Sequence, residues 1–268
     1  MTISVDESTA ASRADSRLVI ADLGKTYVTG QESHEIFAGI NLTVEPREVV
    51  SIVGPSGVGK TTLLRCLAGL LKPTTGEVRI GARRLTGPVP QMGVVFQDYS
   101  RSLLPWMRTR ENVTFPLESK GMKKAERRAL AEESLEAVGL GGAGHKYPWQ
   151  LSGGMQQRAA IARALAYRAD ILLMDEPFAS VDAQTRFDLE DLVLDLKNRL
   201  DITIVLVTHD IDEAVYLADR VVVLSGRPAE VVDLVEVELG HVRDQLTTKA
   251  MPEFAEARTR VLRRIRRQ

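Results

Sequence analysis

The 268-residue chain has one cysteine, no long apolar run and no surplus of charge. A single thiol excludes an internal disulfide, and Cys66 lies among Leu63, Leu64, Leu67 and Leu70, the setting of a buried structural thiol. No stretch approaches the roughly 18 consecutive apolar residues of a membrane span. The polar start MTISVDESTAASRADS lacks the apolar segment of a signal peptide, so the expected location is the cytoplasm. Lys and Arg number 35 against 36 Asp and Glu, which excludes a global basic footprint for nucleic acid and an acidic tail. Internal repeats and long low-complexity segments are absent too. Partners must therefore be read from local sites.

Residues 1–16 are small, polar and aperiodic and read as a disordered leader. Strand-like runs follow in LVIADL, EIFAGINLTVE, REVVSIV and EVRIGARRL, the last after the turn signal KPTTG. From about 98 to 165 the pattern turns helical, with KKAERRALAEESLEAVGL its clearest member. Apolar runs return as DILLM, TIVLV and RVVVL, each flanked by helical stretches, the alternation of a parallel sheet covered on both faces. The expected fold is α/β: a mainly parallel sheet with flanking helices, an antiparallel β subdomain and an α-helical insertion. The main domain is placed at 17–240 and a basic helical tail at 241–268.

GPSGVGKT, residues 54–61, fits G-x-x-x-x-G-K-[ST], with the apolar strand VVSIV before it and the apolar helix TTLLRCLAGLL after it. This is a P-loop. Gly54, Pro55, Ser56, Gly57, Val58 and Gly59 form the loop, whose glycines let backbone N–H groups face a β-phosphate, while Lys60 brings a point charge to the β/γ oxygens. Thr61 has the hydroxyl for Mg²⁺, and Thr62 reaches the α-phosphate. Phosphates and Mg²⁺ need a carboxylate at the tip of a neighbouring strand, and ILLMDEP supplies Asp175 there. Glu176 points differently and polarises an attacking water.

Two further segments end apolar runs in polar residues. TIVLVTHD brings His209 to the carboxyl edge of the sheet, within reach of a γ-phosphate, and MGVVFQ brings Gln97, whose amide suits Mg²⁺ or the water. Taken alone, His209 also reads as a turn histidine, which only its register with the P-loop and DEP segments reverses, and Gln97 also reads as a loop glutamine. Tyr27, in GKTYVTG, suits stacking on adenine, against the plainer reading of a surface tyrosine.

LSGGMQQRAAIARALA, residues 151–166, places Ser152, Gly153 and Gly154 at the head of a helix. Each glycine costs roughly 1 kcal/mol against alanine inside a helix. A bare helix N-terminus binds anions, yet the P-loop already cradles phosphate. The spare anion site points to a nucleotide held by another chain. With the P-loop, DEP, His209 and LSGGMQQR together, the chain resembles the ATP-binding subunit of an ABC transporter over about residues 17–235. The resemblance implies an ATP-hydrolysing subunit using ATP and Mg²⁺, in which two copies pack head to tail and the LSGG of one caps the γ-phosphate on the P-loop of the other. It implies that Ser180–Asp182 cross that interface, with Asp182 beside the shared site. Val181 stands where leucine is more usual.

FQDYSRSLLPW, residues 96–106, resembles the nitrate/sulfonate/taurine group of bacterial importers. In relatives this face receives a short helix from the integral membrane permease, so Leu104 and Trp106 become apolar anchors, the alternative being a tryptophan buried in the insertion's own core. The resemblance also implies an extracellular or periplasmic solute-binding protein as an indirect partner, no nucleic acid, and a place on the cytoplasmic face of the membrane. Of the rival readings, a soluble ABC ATPase outside transport shares the motifs but usually has paired cassettes or long coiled-coil insertions. A small-molecule kinase needs no LSGG. The arginine-rich end RTRVLRRIRR reads as a solvated helix, with contact to anionic lipid as the alternative.

Overall fold

The computed structural model describes residues 16–98 and 102–266. The expected leader, apart from Ser16, and Tyr99, Ser100 and Arg101 of the 96–106 segment lie outside the described residues. Two sheets organise the rest. The first is antiparallel, with order β2-β1-β4-β5, and is built from β1 (Leu18–Thr29), β2 (Glu32–Val44), β4 (Thr75–Ile80) and β5 (Arg83–Arg84). The second runs β10-β9-β3-β8-β7-β6, from β3 (Val49–Val53), β6 (Met92–Val95), β7 (Ile171–Asp175), β8 (Thr203–Val207), β9 (Arg220–Ser225) and β10 (Glu230–Glu236). It is parallel except for β10, which pairs antiparallel with β9.

Every residue of VVSIV, ILLMD and TIVLV is buried, as a sheet covered on both faces requires. Side chains alternate across it. Val50, Ile52, Leu173, Val205 and Val207 join an apolar cluster with the first sheet and α1 (Lys60–Leu67). Val49, Val53, Leu172, Ile204 and Leu206 join the other cluster, under α3 (Lys124–Ala137), α4 (Gly153–Ala166), α5 (Ala183–Leu200) and α6 (Ile211–Leu217). With α2 (Thr109–Thr114), α3 and α4 form the helical insertion, and α4 seats it on β6. Cys66 is buried, and burial pushes its thiol up to about 11.

The C-terminal end differs from the expected solvated helix. In α7 (Pro252–Arg266) the spacing Phe254, Ala257, Val261 makes a buried stripe packed on β9, β10 and α6. Val261, an apolar residue that lipid contact would have used, belongs to the core. Arg260 and Arg264 converge on Asp233 of β10 at 2.7 and 2.8 Å and hold its carboxyl down at about 2.

Candidate active site

The strand β3 delivers the chain into residues 54–59, and α1 begins at Lys60. Gly59 adopts φ +102°, and a Cβ there would lie 2.5 Å from Ile36 Cγ2 on β2. Only glycine fits both the conformation and the neighbour. Lys60 donates to the loop's own carbonyls at Gly54 (2.8 Å) and Pro55 (3.1 Å). Burial lowers its pKa while Glu176 and Asp175 act against that shift, so the ammonium faces two carboxylates. Thr61, the next residue, donates through Oγ1 to Asp175 Oδ1 at 3.0 Å. The hydroxyl and carboxylate that the sequence pairs from 114 residues apart are therefore adjacent. Asp175, the last residue of β7, is 4% exposed, and burial is the main cause raising its pKa, with the Thr61 hydrogen bond opposing.

Because β3, β8, β7 and β6 are neighbours and parallel, their carboxyl ends converge. Glu176 follows β7, Gln97 lies two residues beyond β6, and His209 lies two residues beyond β8. Gln97 Nε2 donates to Glu176 Oε2 at 3.3 Å, and His209 Nδ1 lies 3.0 Å from the same oxygen. Glu176 holds φ +43°, a left-handed conformation uncommon for a non-glycine residue, while its N–H donates to Val207 O. Strain of this kind persists where the surroundings over-determine the backbone.

At the head of α4, Ser152 is the N-cap, accepting from the Met155 N–H at 3.3 Å. The N–H groups of Gly153 and Gly154 have no partner among the described residues. Gly154 also answers a need within the chain: a Cβ there would lie 2.4 Å from Thr185 Cγ2 of α5. Thr185 is fixed in turn by Asp182, which caps α5 by accepting from its N–H (3.0 Å) and its hydroxyl (2.7 Å). Ser152 and Asp182 thus belong to one connected corner. The helix α4 packs on α2, α3, α5 and β6, whereas the P-loop helix α1 packs on β7 and β8.

A family model described as ABC transporter matches residues 37–179, just over half of the chain. The chain belongs to the ABC transporter family. An uncharacterized ABC transporter ATP-binding protein of Methanocaldococcus jannaschii is 45% identical over 257 residues, covering 96% of this chain and 94% of that protein. A nitrate import ATP-binding protein of Synechocystis is 46% identical, covering 80% of each. Among solved structures, a dimeric ATP-binding cassette in a post-hydrolysis state bound to ADP and Pi matches with TM-score 0.73 at 35% identity, covering 82% of this chain and 99% of that one. This is an ATP-hydrolysing cassette of that family.

Elsewhere on the cassette, the Tyr27 ring is 40% exposed on β1, with Lys25 Nζ 5.0 Å from its centre. Its cross-strand partner His34 lies two residues before Ile36, the residue against Gly59, so the antiparallel sheet abuts the P-loop there. Trp106 is 69% exposed, which removes the buried-core alternative. Arg108 and Arg110, flanking α2's start, are engaged within the insertion, by the Tyr147 ring and by Glu132. Among the described residues no helix is long and apolar enough to cross a membrane.

Sequence reading missed a buried polar cluster behind His209. Glu213 on α6 and Glu190 on α5 are both buried, although each sits in an apolar helical stripe where periodicity flags it. Burial, then the Glu190 charge, pushes Glu213 up to about 8; Asp210 adds to the rise, while a Thr208 hydrogen bond and Arg186 oppose it. A folded-state value above the ordinary 4.5 means that the stability tied to protonated Glu213 is complete below that value and is lost as pH rises through about 8. Glu213→Gln is expected to raise Tm relative to the parent more at pH 8.5 than at pH 5.5 in paired thermal melts. An equal offset at the two pH values would rule out a buried, protonated Glu213.

Proposed function

We propose that the cassette powers an importer of nitrate, a sulfonate, taurine or a related small solute, binding MgATP between two copies of itself. The observation that carries the ATPase part of this reading is the meeting of Gln97, Glu176 and His209 at the sheet edge beside Lys60 and Thr61, and its import part rests on the named relatives. Gly54, Pro55, Ser56, Gly57, Val58 and Gly59 wrap the β-phosphate, Lys60 takes the β/γ oxygens and Thr62 the α-phosphate, with Tyr27 beneath the adenine. Thr61, Asp175 and Gln97 fit Mg²⁺: the Thr61 hydroxyl lies 3.0 Å from the Asp175 carboxylate, and Mg²⁺ prefers one or two protein oxygens with phosphates and water. The metal, when bound, neutralises charge on the phosphates. Glu176 takes the proton from water, and Gln97 and His209 hold its carboxylate in place. His209 then faces the γ-phosphate.

The remaining parts belong to the partners. Ser152, Gly153, Gly154 and Asp182 complete the site of the second copy. The permease docks at the groove of about 560 Å³ that Phe96, Asp98, Ser102, Phe115, Arg163 and Tyr167 help line, next to Gln97. Leu104 and the exposed Trp106 follow in the same segment. An extracellular or periplasmic binding protein hands solute to the permease, so solute never touches this subunit, which sits on the cytoplasmic face of the membrane. The name of the Synechocystis relative supports nitrate among the candidates. Trp106→Ala is expected to weaken co-purification with the permease and uncouple transport from hydrolysis, while the ATPase of the isolated subunit stays near the parent's. Undiminished complex formation and transport would overturn this docking assignment.

A further inference from the structure

After β10 the chain turns back over α5, the helix capped by Asp182, and α6, the helix that follows His209. Arg243 donates to the carbonyls of Tyr216 (2.8 Å) and Ala218 (2.9 Å) at the C-terminal end of α6. Gln245 Nε2 donates to Glu190 Oε2 (3.0 Å) and Asp191 Oδ1 (2.9 Å) on α5. Lys249 Nζ lies 3.3 Å from Glu190 Oε2, 4.6 Å from the centre of the Phe187 ring on α5 and 4.7 Å from that of Tyr216 on α6. One side chain thus touches both helices.

It meets them where charge is hardest to bury. Glu190 is 1% exposed and its ion pair with Lys249 is the only one it makes among the described residues. Glu213, 4% exposed, feels the Glu190 charge and leaves Oε1 without a hydrogen bond. Asp210 Oδ1, the cap of α6, accepts from the N–H groups of Asp212 (3.0 Å) and Glu213 (3.1 Å). Thr208 Oγ1 accepts from the Asp210 N–H at 3.0 Å, and Asp210 pairs with Arg186 of α5 at 2.9 Å. His209 sits between these two residues. The turn that presents it is therefore tied to α6 through the Asp210 cap and to α5 through Arg186.

We propose that Lys249 is a positioning residue for ATP hydrolysis: by pairing with Glu190 between α5 and α6 it fixes the spacing of the two helices and so the His209 turn against Glu176. The proposal rests on the roles given above to His209 and Glu176. Removing one partner of a buried ion pair leaves an uncompensated charge with neither water nor counterion, which strongly destabilises that contact. Here the strain falls on the α5–α6 contact, which Tyr216, donating to Asp191 Oδ1 at 2.6 Å, and the Arg186–Asp210 pair also hold. The P-loop and α1 lie against the opposite apolar cluster and are untouched.

The test uses the full-length chain and steady-state kinetics with MgATP. Lys249→Met keeps the stem over both rings and removes the charge, and it is expected to lower kcat about tenfold with KM within about twofold. Lys249→Arg should hydrolyse like the parent. The double variant Lys249→Met with Glu190→Gln, which holds no lone charge at that contact, should recover most of the loss, a rescue that a packing role would not give. A parent-like kcat for Lys249→Met, or a folded double variant as slow as the single one, overturns the proposal. If Lys249→Met does not fold, the double variant decides alone, parent-like hydrolysis supporting the proposal and slow hydrolysis in a folded protein ending it. His209→Ala is measured alongside: parent-like hydrolysis there would fell the reading of His209 itself. An inactive His209→Ala beside a fully active Lys249→Met would fell only the role of Lys249.

Discussion

Glu176→Gln is expected to cut steady-state ATP hydrolysis by roughly 10²–10⁴-fold, the usual contribution of a positioned general base, while leaving ATP affinity near the parent's. The substitution is isosteric. Its carbonyl oxygen still accepts from Gln97, and the backbone N–H to Val207 O that holds the φ of +43° is unaffected. What disappears is the ability to take a proton from water. On the proposed roles, binding rests on other atoms, the loop amides, Lys60 and the Thr61–Asp175 pair, so nucleotide is expected to be held without turnover and an ATP-bound dimer to accumulate. Lys60→Ala should show the opposite order, losing affinity first. Equilibrium binding of a fluorescent ATP analogue, size exclusion with ATP and phosphate release under saturating MgATP separate the two. Parent-like phosphate release by Glu176→Gln would remove Glu176 from its role.

Much of this site is legible in the sequence because its logic is local. An apolar run that ends in a polar residue marks the carboxyl edge of a parallel strand, and Gln97, Asp175 and His209 each follow one. Glycine with lysine and threonine at P-loop spacing has no cheaper explanation. The cluster of Glu190, Glu213 and Lys249 is different. Its members lie on three segments, and the helix–helix packing that joins them leaves no spacing signature; only the misplacement of two glutamates in apolar stripes hints at it. The tail failed for another reason. Its arginines dominate its composition and hide the stripe of Phe254, Ala257 and Val261, and the carboxylate that anchors two of them is Asp233 on β10. Gly154 shows how one motif residue can answer more than one demand. The approach of Thr185 demands a missing Cβ within the chain, whatever the helix end binds outside it.

That second demand decides how the shared site should be tested. Gly154→Ala would press on Thr185 and, through it, on the Asp182 cap, so its phenotype would mix packing with phosphate contact. Ser152 is the better position: it is exposed, and loss of its cap costs only ~1 kcal/mol. Ser152→Arg blocks the helix head from outside. Two copies of the chain joined by a linker then carry Lys60→Ala as the P-loop lesion and Ser152→Arg as the signature lesion in both arrangements. In a head-to-tail dimer, Lys60→Ala in one copy and Ser152→Arg in the other fall on the same composite site and spare the second. Both lesions in one copy damage both sites. If each chain used its own signature helix, the outcomes would swap. Hydrolysis is compared with linked parent copies, and trapped nucleotide is counted in a Glu176→Gln background, which reads a surviving site even where turnover needs two. The split arrangement is expected to trap nucleotide and the double-lesion copy is not, because the N–H groups of Gly153 and Gly154 are unpartnered among the described residues while the chain's own P-loop supplies its own phosphate cradle. More trapped nucleotide in the double-lesion arrangement would mean that each chain closes its own site.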